Sequence, residues 1–187
     1  MTLIARHQRT AIALQLMELK APINVIASET GLGQPLLRRM YQEHIGHSPP
    51  RGILPFSVDW FLKWRPNLHA SLFANLYLDL AHSGLTRTER LIAAYQRYLS
   101  ELECFDDPKP LLSVARAWIL LRFCRQTMLQ LTPCCQCSGH YISSGYQPAS
   151  SFFCGLCHVP SHAGYRHRSS RARPLRLSSS AYHRTAM

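Results

Sequence analysis

The sequence predicts a mainly α-helical protein that ends in a small four-cysteine, zinc-ribbon-like module and a basic, disordered tail. Three observations support this prediction. Leucine-rich segments with helical spacing fill residues 1–131, two closely spaced cysteine pairs lie within residues 132–161, and residues 162–187 are rich in serine, arginine and histidine. With 187 residues, 47% of them hydrophobic, the chain can bury a core but is too short for a large multidomain enzyme.

The first three predicted helices are bounded by proline and glycine. Apolar residues between Leu3 and Leu19 predict a helix over 3–20, which ends before Pro22. A second helix over 23–30 stops at Gly31. A third begins near Gln34 and carries a proline in its first turn, where the missing N–H costs nothing. The pattern is therefore helix, three-residue turn, helix.

The next segment, residues 46–66, is predicted to be an irregular crossing that packs against the core and could bind a partner. Four prolines interrupt it, and it contains two tryptophans. The apolar residues in and after it are more than a small helical core obviously requires. Part of the set could form an interface, and the alternative is that all of it is core. The set comprises Trp60, Phe61, Trp64, Leu68, Leu72, Phe73 and Leu76.

Three further helices complete the predicted helical domain. Asn67 is a candidate N-cap for a helix to about residue 82, and Thr86 with Glu89 forms a capping box for a helix to about residue 103. Prolines at 108 and 110 precede a long helix over 111–131. Beyond it, short strands are predicted at 140–146 and 151–153.

The strongest signal for a binding site is a pair of C-x2-C sequences separated by sixteen residues. Two tight turns of this kind can direct four sulfurs at one point, as in structural zinc sites. Four thiolates leave no open coordination position, so we predict one structural zinc ion rather than a catalytic one. The predicted ligands are Cys134, Cys137, Cys154 and Cys157.

Other cysteine chemistries remain open at this point. The cysteines could form disulfides or be unconnected thiols, Cys135 could replace a ligand in a C-x-C arrangement, and His140 or His158 could do so as well. We expect Cys135 to be an exposed thiol or a neighbour of the site. Cys104 and Cys124 lie in predicted helices and are expected to be small buried hydrophobic residues.

Charge is distributed unevenly along the chain, which has a formal net charge of +11. Residues 1–107 contain all ten carboxylates, whereas residues 108–187 contain ten basic side chains and no acidic one. Such a distribution attracts polyanions, either nucleic acid or an anionic membrane surface. The sequence contains neither a signal-peptide core nor an apolar stretch long enough to span a membrane, so a cytoplasmic protein that binds nucleic acid is expected.

Residues 23–45 are a helix-turn-helix candidate, with a small residue at the helix crossing and a glycine in the turn. The second helix would present glutamine and arginine side chains that suit base edges and phosphates in a major groove. The alternative is a structural hairpin whose arginines are merely solvated. The predicted DNA-binding residues are Gln34, Arg38, Arg39 and Gln42, with His44 as a further candidate and Arg166 and Arg168 in the tail.

The segments SETGL, LRRMYQE, SPPRGILPFSVDWFLKW, NLHASLF, ARAWILLRF and LQLTPCCQCSGHYISSGYQPASSFFCGLC resemble the FlhC family, the C subunits of the bacterial flagellar master transcriptional activator. The resemblance covers about residues 10–163. It implies a helical subunit that joins an FlhD-like partner in a heterohexamer, binds double-stranded DNA upstream of flagellar promoters and recruits RNA polymerase. It also implies that the two C-x2-C pairs are the zinc ligands. The tail follows no pattern of the family.

Three other functions are alternatives to a DNA-binding activator subunit. An enzyme is disfavoured because the cysteine module contains no carboxylate and its metal would be saturated. A basic zinc ribbon that binds RNA or the ribosome could stack bases on its aromatic residues, which are Tyr141, Tyr146, Phe152 and Phe153. A pure protein scaffold would show no salt-dependent DNA affinity.

Overall fold

A computed structural model describes residues 2–50, 54, 57–103, 110–146 and 149–161. This part of the chain is mainly helical, which confirms the predicted fold class. The predicted tail with Arg166 and Arg168, as well as Cys104, lies outside the described residues. The elements are α1 (Leu3–Glu18), α2 (Ile23–Thr30), α3 (Gln34–Ile45), α4 (Asp59–Leu62), α5 (Trp64–Asp79), α6 (Arg87–Glu103), α7 (Val114–Arg125), β1 (Leu129–Pro133), β2 (His140–Ser144) and a 3-10 turn (Ala149–Ser151).

Helices α1, α2 and α3 pack against one another at the start of the chain. Gly31 ends α2 with φ +67° and donates its backbone N–H to the Ala27 carbonyl at 2.8 Å. Glycine adopts this left-handed conformation without the steric cost that a Cβ imposes. Leu16, Leu37 and Tyr41 are fully buried between the three helices and the rest of the core. The predicted helix, turn and helix are therefore present with the predicted bounds.

The predicted crossing at 46–66 contains a one-turn helix, α4, within its described part. Phe61 is fully buried, and the Trp60 ring meets it edge-on with ring centroids 5.0 Å apart. The Arg116 guanidinium lies over the Trp60 ring, 3.9 Å from its centroid. Of the seven apolar residues in the predicted set, Phe61 and Phe73 are fully buried and the other five are half-buried. Most of the set thus contributes to the core.

Helix α6 begins with the predicted capping box. The Glu89 carboxylate accepts hydrogen bonds from the Thr86 hydroxyl at 2.6 Å and from the Thr86 backbone N–H at 2.8 Å. These bonds lower the pKa of Glu89. The prediction of Asn67 as an N-cap was wrong, because α5 begins three residues earlier. The Asn67 amide instead donates to the carbonyls of Phe61 at 2.9 Å and Ile142 at 2.7 Å, so it is a tertiary link.

The predicted helix over 111–131 was wrong at both ends, and most clearly at its C-terminal end. Helix α7 ends at Arg125, the chain turns through Thr127 at φ +56°, and Leu129 starts a strand. β1 pairs with β2 antiparallel, with Leu131 opposite Ile142. The reason is packing: Leu129 and Ile142 are buried in the same core as the helices, and a strand places them there.

The β-hairpin packs on α5. The Ile142 backbone N–H donates to the buried Ser71 hydroxyl at 2.9 Å, and the Asn75 amide donates to the His140 carbonyl at 2.9 Å. The strand predicted at 140–146 is present as β2, but the strand predicted at 151–153 was wrong. A 3-10 turn, Ala149–Ser151, leads into the second cysteine pair instead. The hairpin thus attaches the cysteine region to the helical core.

Glu29, which is half-buried, joins three helices. Its Oε1 accepts a hydrogen bond from the Trp118 indole N–H at 2.6 Å, and its Oε2 accepts one from the Thr88 hydroxyl at 2.5 Å. Trp118 is only 5% exposed. A single carboxylate therefore connects α2 with α6 and α7.

The substitution Glu29→Ala is expected to lower the free energy of unfolding by about 1–3 kcal/mol, because it leaves the buried Trp118 N–H without its acceptor. Urea denaturation followed by circular dichroism measures this. The control is Glu43→Ala, which removes an exposed ion pair with Arg39 and should leave the urea midpoint nearly unchanged. Equal effects of the two substitutions would contradict the role assigned to Glu29.

Candidate metal centre and helix-turn-helix surface

The structure brings the sulfurs of Cys134, Cys137, Cys154 and Cys157 to within 4.8 Å of one another. The Cys137 and Cys154 sulfurs are 3.8 Å apart. A zinc ion with four sulfurs at about 2.3 Å in tetrahedral geometry places neighbouring sulfurs about 3.8 Å apart. The donor set and its spacing therefore fit a tetrahedral zinc ion. Within the described ranges, these four residues form the one group of at least three cysteine, histidine or carboxylate side chains close enough to share a metal.

Two tight backbone turns position the sulfurs. In the first, the Ser138 N–H donates to the Cys134 carbonyl at 2.9 Å, and the Cys134 N–H donates to the Gly139 carbonyl at 2.8 Å. A Cβ at Gly139 would lie 3.0 Å from the Tyr141 ring and 3.4 Å from the Cys137 sulfur, so a side chain there would crowd the site. In the second turn, the His158 N–H donates to the Cys154 carbonyl at 2.9 Å.

Backbone N–H groups also point at the sulfurs. The Cys134 sulfur accepts from the N–H of Gln136 at 3.5 Å and from that of Cys154 at 3.3 Å, and the Cys154 sulfur accepts from the Cys157 N–H at 3.4 Å. Backbone hydrogen bonds, first from Cys137 and then from Cys154, lower the pKa of Cys134 to about 6. Such donors stabilise thiolates, which are the form that binds a metal.

The opposite shift occurs at Cys157. Hydrogen bonding with the Cys154 thiol raises the pKa of Cys157 to about 12. Four thiols this close cannot all ionise without a compensating positive charge. A divalent cation would supply that charge, as zinc does in cysteine-rich sites.

The second cysteine turn is attached to the helical core through Trp64, the first residue of α5. The Trp64 indole N–H donates to the Gly155 carbonyl at 2.7 Å. A Cβ at Gly155 would lie 2.6 Å from the Trp64 ring, so only glycine allows the two to approach this closely. Sequence reasoning did not identify this contact, since the two residues are 91 positions apart.

The other cysteines and histidines lie outside the four-sulfur cluster. Cys135 is exposed, as predicted, and its backbone N–H donates to the Phe152 carbonyl at 3.0 Å. Cys124 is half-buried, and burial raises its pKa to about 11. The His158 ring stacks on Phe153 with centroids 4.7 Å apart, and His140 is exposed at the start of β2.

The four DNA-binding residues predicted on α3, which are Gln34, Arg38, Arg39 and Gln42, are exposed. Three of them have partners within the protein. The Gln34 amide donates to the Asn24 side chain at 3.1 Å, the Gln42 amide donates to the Gly46 carbonyl at 3.2 Å, and Arg39 pairs with Glu43 at 2.8 Å. The bond to Glu43 raises the pKa of Arg39. Arg38 borders a cleft between α2 and residues 48–50.

His44, the further candidate on α3, lies 3.2 Å from the Glu18 carboxylate of α1.

None of the described helices combines the length and the apolar character that crossing a membrane requires.

Comparison with known proteins identifies the family. The family model described as flagellar transcriptional activator (FlhC) matches residues 1–170. The chain is 40% identical over 181 residues to the flagellar transcriptional regulator FlhC of Paraburkholderia atlantica, covering 96% of this chain and 83% of the relative. It is 42% identical over 153 residues to that of Proteus mirabilis, covering 81% and 79% respectively. These relatives are named as regulators of transcription, and the chain belongs to the FlhC family of flagellar transcriptional activators.

Proposed function

We propose that the chain is a zinc-stabilised, DNA-binding subunit that acts with a second subunit in the cytoplasm to activate flagellar promoters. The observation that carries the proposal is the four-sulfur cluster at the end of a helical core, in a chain that matches the FlhC family over residues 1–170. Cys134, Cys137, Cys154 and Cys157 hold one zinc ion. The ion supplies folding free energy to the cysteine module rather than reactivity, since four thiolates fill its coordination sphere.

The helix-turn-helix supplies the surface that contacts DNA. Residues Gln34, Arg38, Arg39 and Gln42 are exposed on α3, and their amide and guanidinium groups suit adenine and guanine edges as well as phosphates. Arg39 already pairs with Glu43, and Gln34 and Gln42 have neutral partners. We therefore assign the largest DNA contribution on this helix to Arg38, and we propose that Arg166 and Arg168 add phosphate contacts.

An FlhD-like subunit, in a heterohexamer, and RNA polymerase are the proposed protein partners. Exposed apolar side chains on the helical domain support a protein interface. Leu3 and Ile4, at the start of α1, are 85% and 73% exposed, and Leu62 in α4 is 41% exposed. The adjacent pair Leu3 and Ile4 offers an apolar contact to another subunit.

A competition experiment tests the DNA-binding proposal. The full chain, co-purified with its partner subunit, is offered a duplex from a flagellar promoter region, a random duplex and single-stranded RNA in a mobility-shift assay at about 0.15 M salt, which is physiological ionic strength. The chain should bind the promoter duplex about 10³-fold or more tightly than the random duplex or the RNA. Comparable affinity for all three nucleic acids would favour an RNA-binding zinc ribbon. The absence of any salt-dependent binding would favour a protein that acts only as a scaffold.

Arg38→Ala is expected to weaken promoter binding by about tenfold, the effect of losing one good base or phosphate contact. Arg39→Ala should have a smaller effect, because its guanidinium is already shared with Glu43. The control is Arg97→Ala, an exposed arginine on α6. Equal promoter affinity of Arg38→Ala and the unmodified chain would rule out this use of α3.

A further inference from the structure

A second basic surface lies where α2 ends, α6 begins and α7 ends. There a cleft of about 360 Å³ opens to solvent. Three exposed arginines from α6 and α7 line it, and we call it the arginine cleft. Its lining residues are Ser28, Glu29, Arg87, Trp118, Arg122, Arg125 and Gln126.

The arginine cleft carries an excess of positive charge. Arg87, Arg122 and Arg125 contribute three positive charges, and Glu29 contributes one negative charge. Within the described part of the chain, no ion pair links Arg87, Arg122 or Arg125 to a carboxylate. The net positive charge is therefore available to an external anion.

The Glu29 carboxylate offsets only one of the three positive charges of the cleft. Both of its oxygens accept short hydrogen bonds from neutral donors, the Trp118 indole and the Thr88 hydroxyl. These bonds hold the carboxylate between the helices. An arginine that turned towards an anion in the cleft would therefore give up no ion pair within the described part of the chain.

Two of the arginines are held in place by the protein. The Arg122 guanidinium lies 4.7 Å from the centroid of the buried Trp118 ring, a cation–π arrangement that leaves its edge nitrogens able to donate. The Arg125 Nε donates to the Leu121 carbonyl at 3.2 Å, and this bond restrains the orientation of the Arg125 guanidinium. Ordering such long side chains in advance reduces the entropy cost of binding an anion.

The arginine cleft adjoins the predicted helix-turn-helix. Ser28 belongs to α2, the first of its two helices. In helix-turn-helix proteins the second helix enters the major groove while the first crosses the sugar–phosphate backbone. A shallow, open, cationic cleft beside α2 suits a phosphate of a duplex better than an enclosed small anion, because the duplex backbone stays largely in solvent.

We propose that the arginine cleft binds a backbone phosphate of the DNA duplex whose bases face α3, with Arg122 and Arg125 as the main donors and Arg87 and Gln126 beside them. This inference rests on the proposed function. Contacts to phosphate set the position of a protein on DNA and carry no base preference. The cleft would thus contribute affinity on every duplex, including one of random sequence.

The test measures how binding to a random duplex of about 30 base pairs depends on salt, between about 0.05 and 0.3 M. The full chain with its partner is compared with Arg122→Gln and Arg125→Gln in filter-binding assays. Each lost phosphate contact should make the slope of log K against log salt less negative by about 0.9, and affinity should fall by about three- to tenfold at about 0.15 M. Promoter and random duplexes should be affected alike.

Arg97→Gln is the matched control. It removes the same charge from an exposed position on α6, about 15 Å along the helix from Arg87, since the rise is about 1.5 Å per residue. Its salt slope should equal that of the unmodified chain. An equal loss of slope in Arg97→Gln would show that net charge alone matters, and an unchanged slope in both cleft variants would overturn the proposal.

Two further outcomes separate this inference from its alternatives. If the unmodified chain shows no salt-dependent duplex binding, the proposed function fails and the cleft proposal fails with it. If calorimetry detects inorganic phosphate binding that Arg122→Gln removes while the duplex slope is unchanged, the cleft binds free phosphate and the DNA assignment is overturned. Comparing the thermal midpoint of each variant with that of the unmodified chain shows that it is folded.

Discussion

Cys154→Ser is expected to abolish stoichiometric zinc binding and to unfold both cysteine turns. Cys154 is 1% exposed, and its sulfur lies 3.8 Å from that of Cys137. The same sulfur accepts a hydrogen bond from the Cys157 N–H. A serine hydroxyl is a poor zinc ligand, so the remaining three thiols cannot close the tetrahedron. Zinc binding to small structural sites contributes about 10–16 kcal/mol, which here would be folding free energy of the cysteine module.

Elemental analysis measures the zinc content of the purified chain, which should fall from one zinc per chain to near zero in Cys154→Ser. Amide hydrogen exchange should accelerate at Ser138, Cys157 and His158, whose N–H groups are bonded within the two turns, while α2 and α3 keep most of their protection. Cys135→Ser is the control, because that thiol is exposed and outside the cluster. One zinc per chain in Cys154→Ser, with exchange unchanged, would refute the assignment.

Gly145→Ala should destabilise the fold by more than about 3 kcal/mol, the upper end of what overpacking usually costs. A Cβ at this position would lie 1.7 Å from the Thr127 carbonyl oxygen, which is backbone and cannot rotate away. Gly145 also donates its N–H to the Met128 carbonyl at 3.0 Å. The substitution therefore separates the end of β2 from the start of β1.

Thermal denaturation followed by circular dichroism measures this effect. Ser144→Ala is the control, since it changes the last residue of β2, next to Gly145, without adding an atom, and it should shift the midpoint little. Zinc content of Gly145→Ala should fall as well, because the hairpin leads the chain from β1 and β2 into the cysteine turns. A thermal midpoint equal to that of Ser144→Ala would contradict the close approach seen here.

Sequence reasoning succeeded where the determining signals are local. The bounds of α2 and α3 follow from Pro22, Gly31 and Pro35, each of which acts on the backbone within a few residues. The Thr86 and Glu89 capping box is likewise contained within one helical turn. The cysteine cluster was predictable because C-x2-C spacing constrains the geometry of each turn.

Sequence reasoning failed where the local structure depends on contacts between residues that are distant along the chain. The segment from Met128 to Pro133 continues a leucine-rich pattern, and only its pairing with β2 and its burial beside the helices make it a strand. Asn67 has the right residue type for an N-cap, yet its amide is used by the carbonyls of Phe61 and Ile142. The contact between Trp64 and Gly155 has no local sequence signal.

The three tryptophans of the chain have one further consequence. Trp60 lies under Arg116 where α4 meets α7, Trp64 is bonded to the second cysteine turn, and Trp118 is bonded to Glu29 beside the arginine cleft. Each of these three junctions therefore contains its own intrinsic fluorophore. Variants that keep a single indole would let emission spectra follow the opening of each junction separately, without attaching a dye.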